Sequence, residues 1–416
     1  MRMPVTLSPV AAKTGFVDQP MCPTAEKSRD ARALKICFIS HSGGDGGAER
    51  VLFETITALR SRGLDCRVVL PEEGPLCQRL RQIGVPLAVI SFPHWMSRDP
   101  LGFGARLKAA LGTVMNTGRL AWTVFRWRSD LIYSNTVTLC VGAFAARLLG
   151  RPHIWHLHEF GQEDQGLGFI FGNRFSLAVI DKLSARCICV SKALAKKYSQ
   201  TIDESKLCVI YPSMQAAQKT KHTDDTDSSM PRTARFRCAL VGALLAGKGQ
   251  EDAIQAIDLL KRAGLDVEVV LVGDGPSQYR RRLEDLVVSS DLQGRVHFTG
   301  RVPDSSPAMQ SSDVVLMCSR SEAFGRVTIE GMLAGKPVIG TRGGATPELI
   351  EDGVTGLLYD FGNPKELSDR IRRLYDDPSL ARSLGHNAKT WATQHFLSDE
   401  SSEQLFSVLK SVLTPV

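Results

Sequence analysis

Short apolar runs bounded by turn residues alternate with helical periodicity from residue 35 nearly to the end of the chain. The first run is Lys35-Ile36-Cys37-Phe38-Ile39-Ser40, followed by a Gly-rich loop and helical spacing over Ala48–Arg62. Further β-type runs stand at Cys66–Leu70, Leu87–Ile90, Leu131–Ser134, His153–His158 and Cys187–Val190, with helical stretches between most of them. A second series starts at Phe236–Val241 and continues at Val267–Val272, Val296–Thr299, Val314–Met317, Val338–Gly340 and Gly356–Tyr359. Strand–helix alternation of this kind predicts parallel, doubly wound sheets. The fold class is therefore α/β, with two sequential Rossmann-like domains facing a central cleft. Ligands are expected in that cleft, outside the carboxyl ends of the strands.

The boundaries follow from where the pattern fails. Residues 1–33 mix Pro, Lys and Asp without an apolar run, which predicts a disordered extension rather than a signal peptide. Residues 34–213 form the first domain, and 235–395 the second. Between them, 214–234 is polar and aperiodic, as a linker would be. The last segment, 396–416, contains an amphipathic helix (Glu403–Val412) expected to pack back on the first domain.

Composition adds less. Apolar residues make up 43% of the 416 positions, as in a soluble globular protein, and no uninterrupted apolar run is long enough to cross a bilayer. The net charge of +7 sits in the first half, while the second half is net acidic. A basic first half suits an anionic acceptor or a membrane surface as well as it suits plain solubility. The ten cysteines are scattered, and only Cys187-Ile188-Cys189 is a close pair, so reduced buried thiols of a cytoplasmic protein are expected rather than zinc ligands.

The chemistry concentrates at strand ends. In Ser321-Glu322-Ala323-Phe324-Gly325-Arg326-Val327-Thr328-Ile329-Glu330-Gly331, two carboxylates flank a Phe-Gly turn between an apolar strand and a short helix. Free N–H groups at such a helix start favour phosphate, and carboxylates on either side can accept hydroxyls. A sugar nucleotide has that layout. Lys248, in Gly247-Lys248-Gly249, is placed as a point charge on phosphate, without the Ser/Thr of a Walker loop. Ser42-Gly43-Gly44-Asp45-Gly46-Gly47 permits close approach to a ligand. Glu49 stands where a dinucleotide fingerprint needs its third glycine, which speaks against a dehydrogenase.

Six segments, in this order, resemble family-4 retaining glycosyltransferases of the two-Rossmann GT-B fold. They are Gly46–Arg50, Gly242–Gly249, Val272-Gly273-Asp274-Gly275-Pro276, Thr299-Gly300-Arg301-Val302, Glu322–Glu330 and Gly335–Thr341. The resemblance covers roughly residues 35 to 395. It implies transfer of a sugar from a nucleoside diphosphate donor to an acceptor hydroxyl with retention, in polysaccharide, cell-envelope or glycolipid synthesis. Lys248 would neutralise the diphosphate after the turn at Gly242, with N–H groups at Gly46, Gly47 and around Phe324, Gly325, Arg326 and Val327 assisting. Glu322 would hold donor-sugar hydroxyls and Glu330 the ribose, while Gly300, Arg301 and Val302 would border the base. His158 would lie near the reacting sugar, making His158, Glu322 and Lys248 the catalytic set; a histidine at a strand end is otherwise structural.

The resemblance implies no cofactor and no metal; the one Asp-x-Asp, Asp225-Thr226-Asp227, falls in the linker. His156-x-His158 lacks a third ligand. Two departures stand out. Ala243 replaces an arginine usual in the family, a loss that Arg326 or Arg301 would have to offset. Tyr211-Pro212-Ser213 stands where Asn-Gly is common.

The acceptor, saccharide or lipid-linked, is read from less. Trp95, Met96, Trp122, Phe125 and Trp127 interleave with Arg106, Lys108, Arg119, Arg126 and Arg128 in the 92–128 region. That pattern fits peripheral contact with the inner membrane face, or simple core packing. The 159–165 stretch is expected to face the same cleft and to shape the acceptor site. Nothing points to nucleic acid. The rival functions are a sugar-nucleotide epimerase of the same fold and a non-catalytic, glycosyltransferase-like binding subunit.

Overall fold

The structure, a computed structural model, describes residues 33–214 and 234–413. The expected extension and Asp225-Thr226-Asp227 lie outside the described residues, as does the linker but for its two end positions.

The first sheet contains seven parallel strands: β1 Lys35–Ile39, β2 Asp65–Leu70, β3 Leu87–Val89, β4 Leu131–Ser134, β5 His153–Leu157, β6 Arg186–Cys189 and β7 Leu207–Val209. Their spatial order is β3-β2-β1-β4-β5-β6-β7. The second sheet contains six: β8 Phe236–Val241, β9 Val267–Val272, β10 Val296–Gly300, β11 Val314–Met317, β12 Val338–Thr341 and β13 Leu357–Tyr359. Its order, β10-β9-β8-β11-β12-β13, repeats the same switch beside the domain's first strand. Such a reversal opens a crevice at the strands' carboxyl ends.

Five helices matter below: α1 Gly47–Ser61, α2 Phe103–Trp127, α3 Gln250–Arg262, α4 Arg326–Leu333 and α5 Glu400–Leu413. In α1, Leu52, Ile56 and Leu59 recur at helical spacing and share one core with Ile36 and Phe38 of β1. Leu405 and Leu409, one turn apart on α5, enter that same core. The last described helix therefore packs on the first domain. Burying each of those leucines is worth about 2 kcal/mol of transfer energy.

The pairing of β7 escapes the sequence pattern because three residues carry no readable alternation. So does a two-residue antiparallel pair, Met96–Ser97 with Gly168–Phe169. The 92–128 region divides in two. Phe92, Trp95 and Met96 are buried, Trp95 stacking on Trp155 with ring centroids 5.9 Å apart, so these three are core and unavailable to a membrane. Trp127 is half-buried under the Arg67 guanidinium. Only Trp122 and Phe125 of the aromatics singled out are exposed.

The two domains are latched by polar contacts. Glu348 accepts the backbone N–H of Lys192 (2.9 Å) and of Ala193 (2.5 Å), capping the start of a first-domain helix, and accepts the Tyr211 hydroxyl at 2.6 Å. Tyr211 thus has a structural reason at its position. Arg326 forms a two-pronged pair with Glu54 of α1, at 2.9 and 3.0 Å.

Candidate functional site

A cavity of about 760 Å³ opens between the carboxyl ends of the two sheets. Lys248, Glu322 and Glu330 line it from the second domain, and Gly46, Gly47 and His158 from the first. Gly242, Arg301, Val302, Phe324, Gly325, Arg326 and Val327 also border it. Gly300 does not; its positive φ of 71° turns the chain at the end of β10, and the following residues reach the cleft instead.

Two loops set the charged pair. Lys248 lies in a 3-10 turn whose next residue, Gly249, has φ 70°. A Cβ there would come within 2.1 Å of the Cys318 carbonyl, so only glycine fits. Arg320 N–H donates to the Gly247 carbonyl at 2.8 Å, tying the lysine loop to the loop that carries Glu322. That second loop is braced by Ala345 N–H donating to the Glu322 carbonyl at 2.8 Å. The result is a Lys248 Nζ to Glu322 Oε1 contact of 2.5 Å. Burial pulls the Lys248 ammonium down, but the Glu322 carboxylate outweighs it, and the net displacement is upward. Lys248 is a fixed cation.

Two helix starts add to this. α1 begins after Gly46 and α4 after Gly325, and neither N-cap side chain takes up the first N–H groups. Both starts line the cleft, so unpaired donors and the positive ends of two dipoles face it from opposite domains.

The first-domain wall is quieter. His158 Nε2 lies 3.0 Å from Asn135 Oδ1, and Asn135 donates its own amide to the Ala48 carbonyl at 2.9 Å. That network assigns the proton to His158 Nε2 and leaves Nδ1 as an acceptor. Burial, followed by the neighbouring His156, His41 and Arg326, holds the imidazole well below its usual range. His156 bonds the Tyr133 hydroxyl through Nδ1 at 2.7 Å, and burial pushes it down to about 3. It is buried in the core. Among the described residues, no group of three His, Cys, Asp or Glu side chains could hold an ion.

Several cleft residues were not singled out in the sequence as site residues. Arg50 and Asp45 pair at 3.1 Å beside the start of α1, and Arg50 acts electrostatically on Glu330. Asp164, held by the N–H groups of Phe160 (2.9 Å) and Gly161 (2.8 Å), is pushed up to about 6, chiefly by burial. Its loop, 159–165, is the stretch that the sequence alone places at this cleft beside the acceptor. Arg326 is already committed to Glu54, so it cannot act as a freely placed substitute for the arginine missing at Ala243. Arg301 borders the cleft and is exposed.

A second cavity of about 470 Å³ adjoins the first. The two share Glu159 and Gln165, and the second also includes His41, His94, Ser97, Arg98 and Thr138. Glu159 accepts Thr136 Oγ1–H at 3.0 Å and is displaced upward by burial.

Known proteins match this arrangement. The family described as Glycosyltransferase Family 4 matches residues 45–216, and Glycosyl transferases group 1 matches 226–391. An uncharacterized glycosyltransferase of Methanocaldococcus jannaschii is 31% identical over 63% of this chain and 70% of its own length. The chain belongs to glycosyltransferase family 4. An N-acetyl-α-D-glucosaminyl L-malate synthase of Bacillus anthracis is 33% identical, over 40% of this chain and 43% of that protein. The crystal structure of HepE from Anabaena in complex with UDP-glucose is 28% identical, with a TM-score of 0.74, over 91% of this chain and all of that one. This family-4 chain is thus a glycosyltransferase of the GT-B type, and its two sheets are that fold's two domains.

Proposed function

We propose that the protein transfers a hexosyl unit from a UDP-sugar to an acceptor hydroxyl with retention of configuration. The observation that carries this is the meeting of Lys248, Glu322 and two uncapped helix starts around one cleft. HepE, similar along nearly the whole chain, is described with UDP-glucose, which favours uridine over other bases.

In this reading the diphosphate lies between the starts of α1 and α4, with Lys248 against it. Glu330 accepts ribose hydroxyls, Arg301 and Val302 border the base, and Glu322 holds the sugar. The bond between the anomeric carbon and the β-phosphate oxygen breaks as the acceptor oxygen attacks on the same face. The acceptor proton passes to the departing phosphate oxygen. Fixed donors and Lys248 stabilise the charge that develops, so the reading assigns no step to a cofactor or metal. His158 Nδ1 accepts a hydroxyl from the reacting sugar. The acceptor enters through the second cavity, past Glu159. Nine free thiols among the described residues, with Cys37 and Cys318 pushed up to about 12 by burial, fit a cytoplasmic site of action.

The test is incubation with UDP-, GDP- and dTDP-sugars, with and without added acceptors, and assignment of the product anomer by NMR. Retention from a UDP-hexose supports the proposal. An epimerised sugar nucleotide formed without acceptor would support the epimerase instead. A folded sample that binds no nucleoside diphosphate in calorimetry would support a non-catalytic subunit.

A further inference from the structure

On α2, Phe103, Leu107, Leu111, Val114, Met115, Trp122 and Phe125 are each 51–83% exposed. At about 100° per residue these seven side chains fall within an arc of roughly 120°. Thr113, Asn116, Leu120 and Val124 occupy the opposite side and are buried against the domain. The apolar stripe is about 33 Å long, from Phe103 to Phe125 at ~1.5 Å per residue. Soluble monomers rarely leave so large a continuous patch bare.

We infer that this face of α2 docks on an anionic phospholipid surface. The occupant is chosen by charge. Lys108, Arg119 and Arg126 are exposed and run along one border of the stripe, and Phe103–Trp127 contains no acidic residue. A second copy docking antiparallel on the same face would bring two basic rows together. Anionic head groups neutralise the row while the acyl boundary takes up the stripe. The helix lies in the surface rather than through it: its far side is buried in the protein, and no helix among the described residues is long and apolar enough to cross a membrane.

The placement also fits the acceptor path. Ser97, Arg98 and Asp99 line the second cavity, and Phe103 follows Asp99 by four residues, a span of at most about 14 Å. Docking on α2 therefore brings that cavity close to the lipid surface, where a lipid-linked acceptor hydroxyl could enter. This last step rests on the proposed transfer function; the docking itself does not.

The experiment is co-sedimentation of the full chain with vesicles of phosphatidylcholine alone and of phosphatidylcholine mixed with phosphatidylglycerol. Binding to the anionic vesicles is expected to be roughly tenfold to hundredfold tighter, and to weaken with salt. The variant Trp122→Gln/Phe125→Gln should lose most binding to both. Lys108→Gln/Arg119→Gln/Arg126→Gln should lose the preference for phosphatidylglycerol. UDP binding by calorimetry should stay unchanged in both variants, which separates loss of docking from loss of the donor site. Sedimentation of neither vesicle type, or undiminished binding by Trp122→Gln/Phe125→Gln, would overturn the inference. So would light scattering showing a dimer that this variant dissolves, because the stripe would then be an interface between copies.

Discussion

On the second-domain wall of the cleft, Lys248 and Glu322 touch at 2.5 Å, and the ammonium is held charged by its partner. On the first-domain wall, His158 is displaced downward by burial, and Glu159 and Asp164 upward, so burial pushes all three toward their neutral forms. Lys248 supplies permanent charge from the second domain; around the end of β5, burial suppresses it. The division suits a reaction in which a diphosphate leaves toward the first wall's opposite and an uncharged hydroxyl arrives along the quiet side. Permanent charge placed where negative charge accumulates needs no reorganisation as the reaction proceeds.

The sharpest way to break this contrast is to remove one group from each wall. Lys248→Ala should lower transfer by about a hundredfold to a thousandfold, as loss of a preorganised stabilising group does. His158→Ala should cost roughly tenfold to a hundredfold, the worth of one hydrogen bond in a closed site. Steady-state rates with saturating UDP-sugar, alongside circular dichroism to confirm folding, measure both. If the two losses came out equal, or reversed, the walls would not differ as described.

This asymmetry also explains what the sequence made legible. The second domain announces its site because strand end, Gly-Lys-Gly turn and Glu-Ala-Phe-Gly loop are each contiguous, and β8, β9 and β11 could be bounded to the residue. The cleft's first wall is assembled from distant pieces. Asn135 fixes the His158 tautomer from 23 residues away and itself bonds the Ala48 carbonyl, 87 residues back. No local pattern encodes such contacts. Trp95 misled for a similar reason: an aromatic beside basic residues reads as interfacial until Trp155 is seen stacked on it. Arg326, near a glycine turn, looked free to meet phosphate, whereas its partner Glu54 lies 272 residues away.

That Glu54–Arg326 pair gives the second test, since it joins the two walls. Both side chains are largely buried, and the pair is two-pronged, which makes it stronger than an exposed bridge. A double-mutant cycle of Glu54→Gln and Arg326→Met, read by thermal unfolding, should give a coupling of about 1–2 kcal/mol. A coupling near zero would mean that the walls are held together by Glu348 and the apolar contacts alone. The single Arg326 variant should also loosen nucleotide binding, because Arg326 begins the α4 turn that lines the cleft.

The smallest expected effect comes from a carboxyl group on the first wall. Asp164 is raised to about 6, chiefly by burial against the pull of two backbone N–H groups. Its unfolded value is about 3.9, so the folded state holds the proton more tightly. The stability it contributes is full below pH ~4 and is lost as pH rises through about 6. Donor binding should follow the same sign. Above pH 6 the cleft gains a carboxylate near Lys248, and the diphosphate is opposed. Affinity for UDP-glucose, whose diphosphate diester does not titrate there, should therefore rise a few-fold as pH falls from above 7 to below 6. Asp164→Asn should flatten that dependence while leaving affinity at the acid end nearly unchanged. Calorimetry across this range measures it, and an unaltered slope in Asp164→Asn would assign the effect to another group on the same wall, Glu159 first among them.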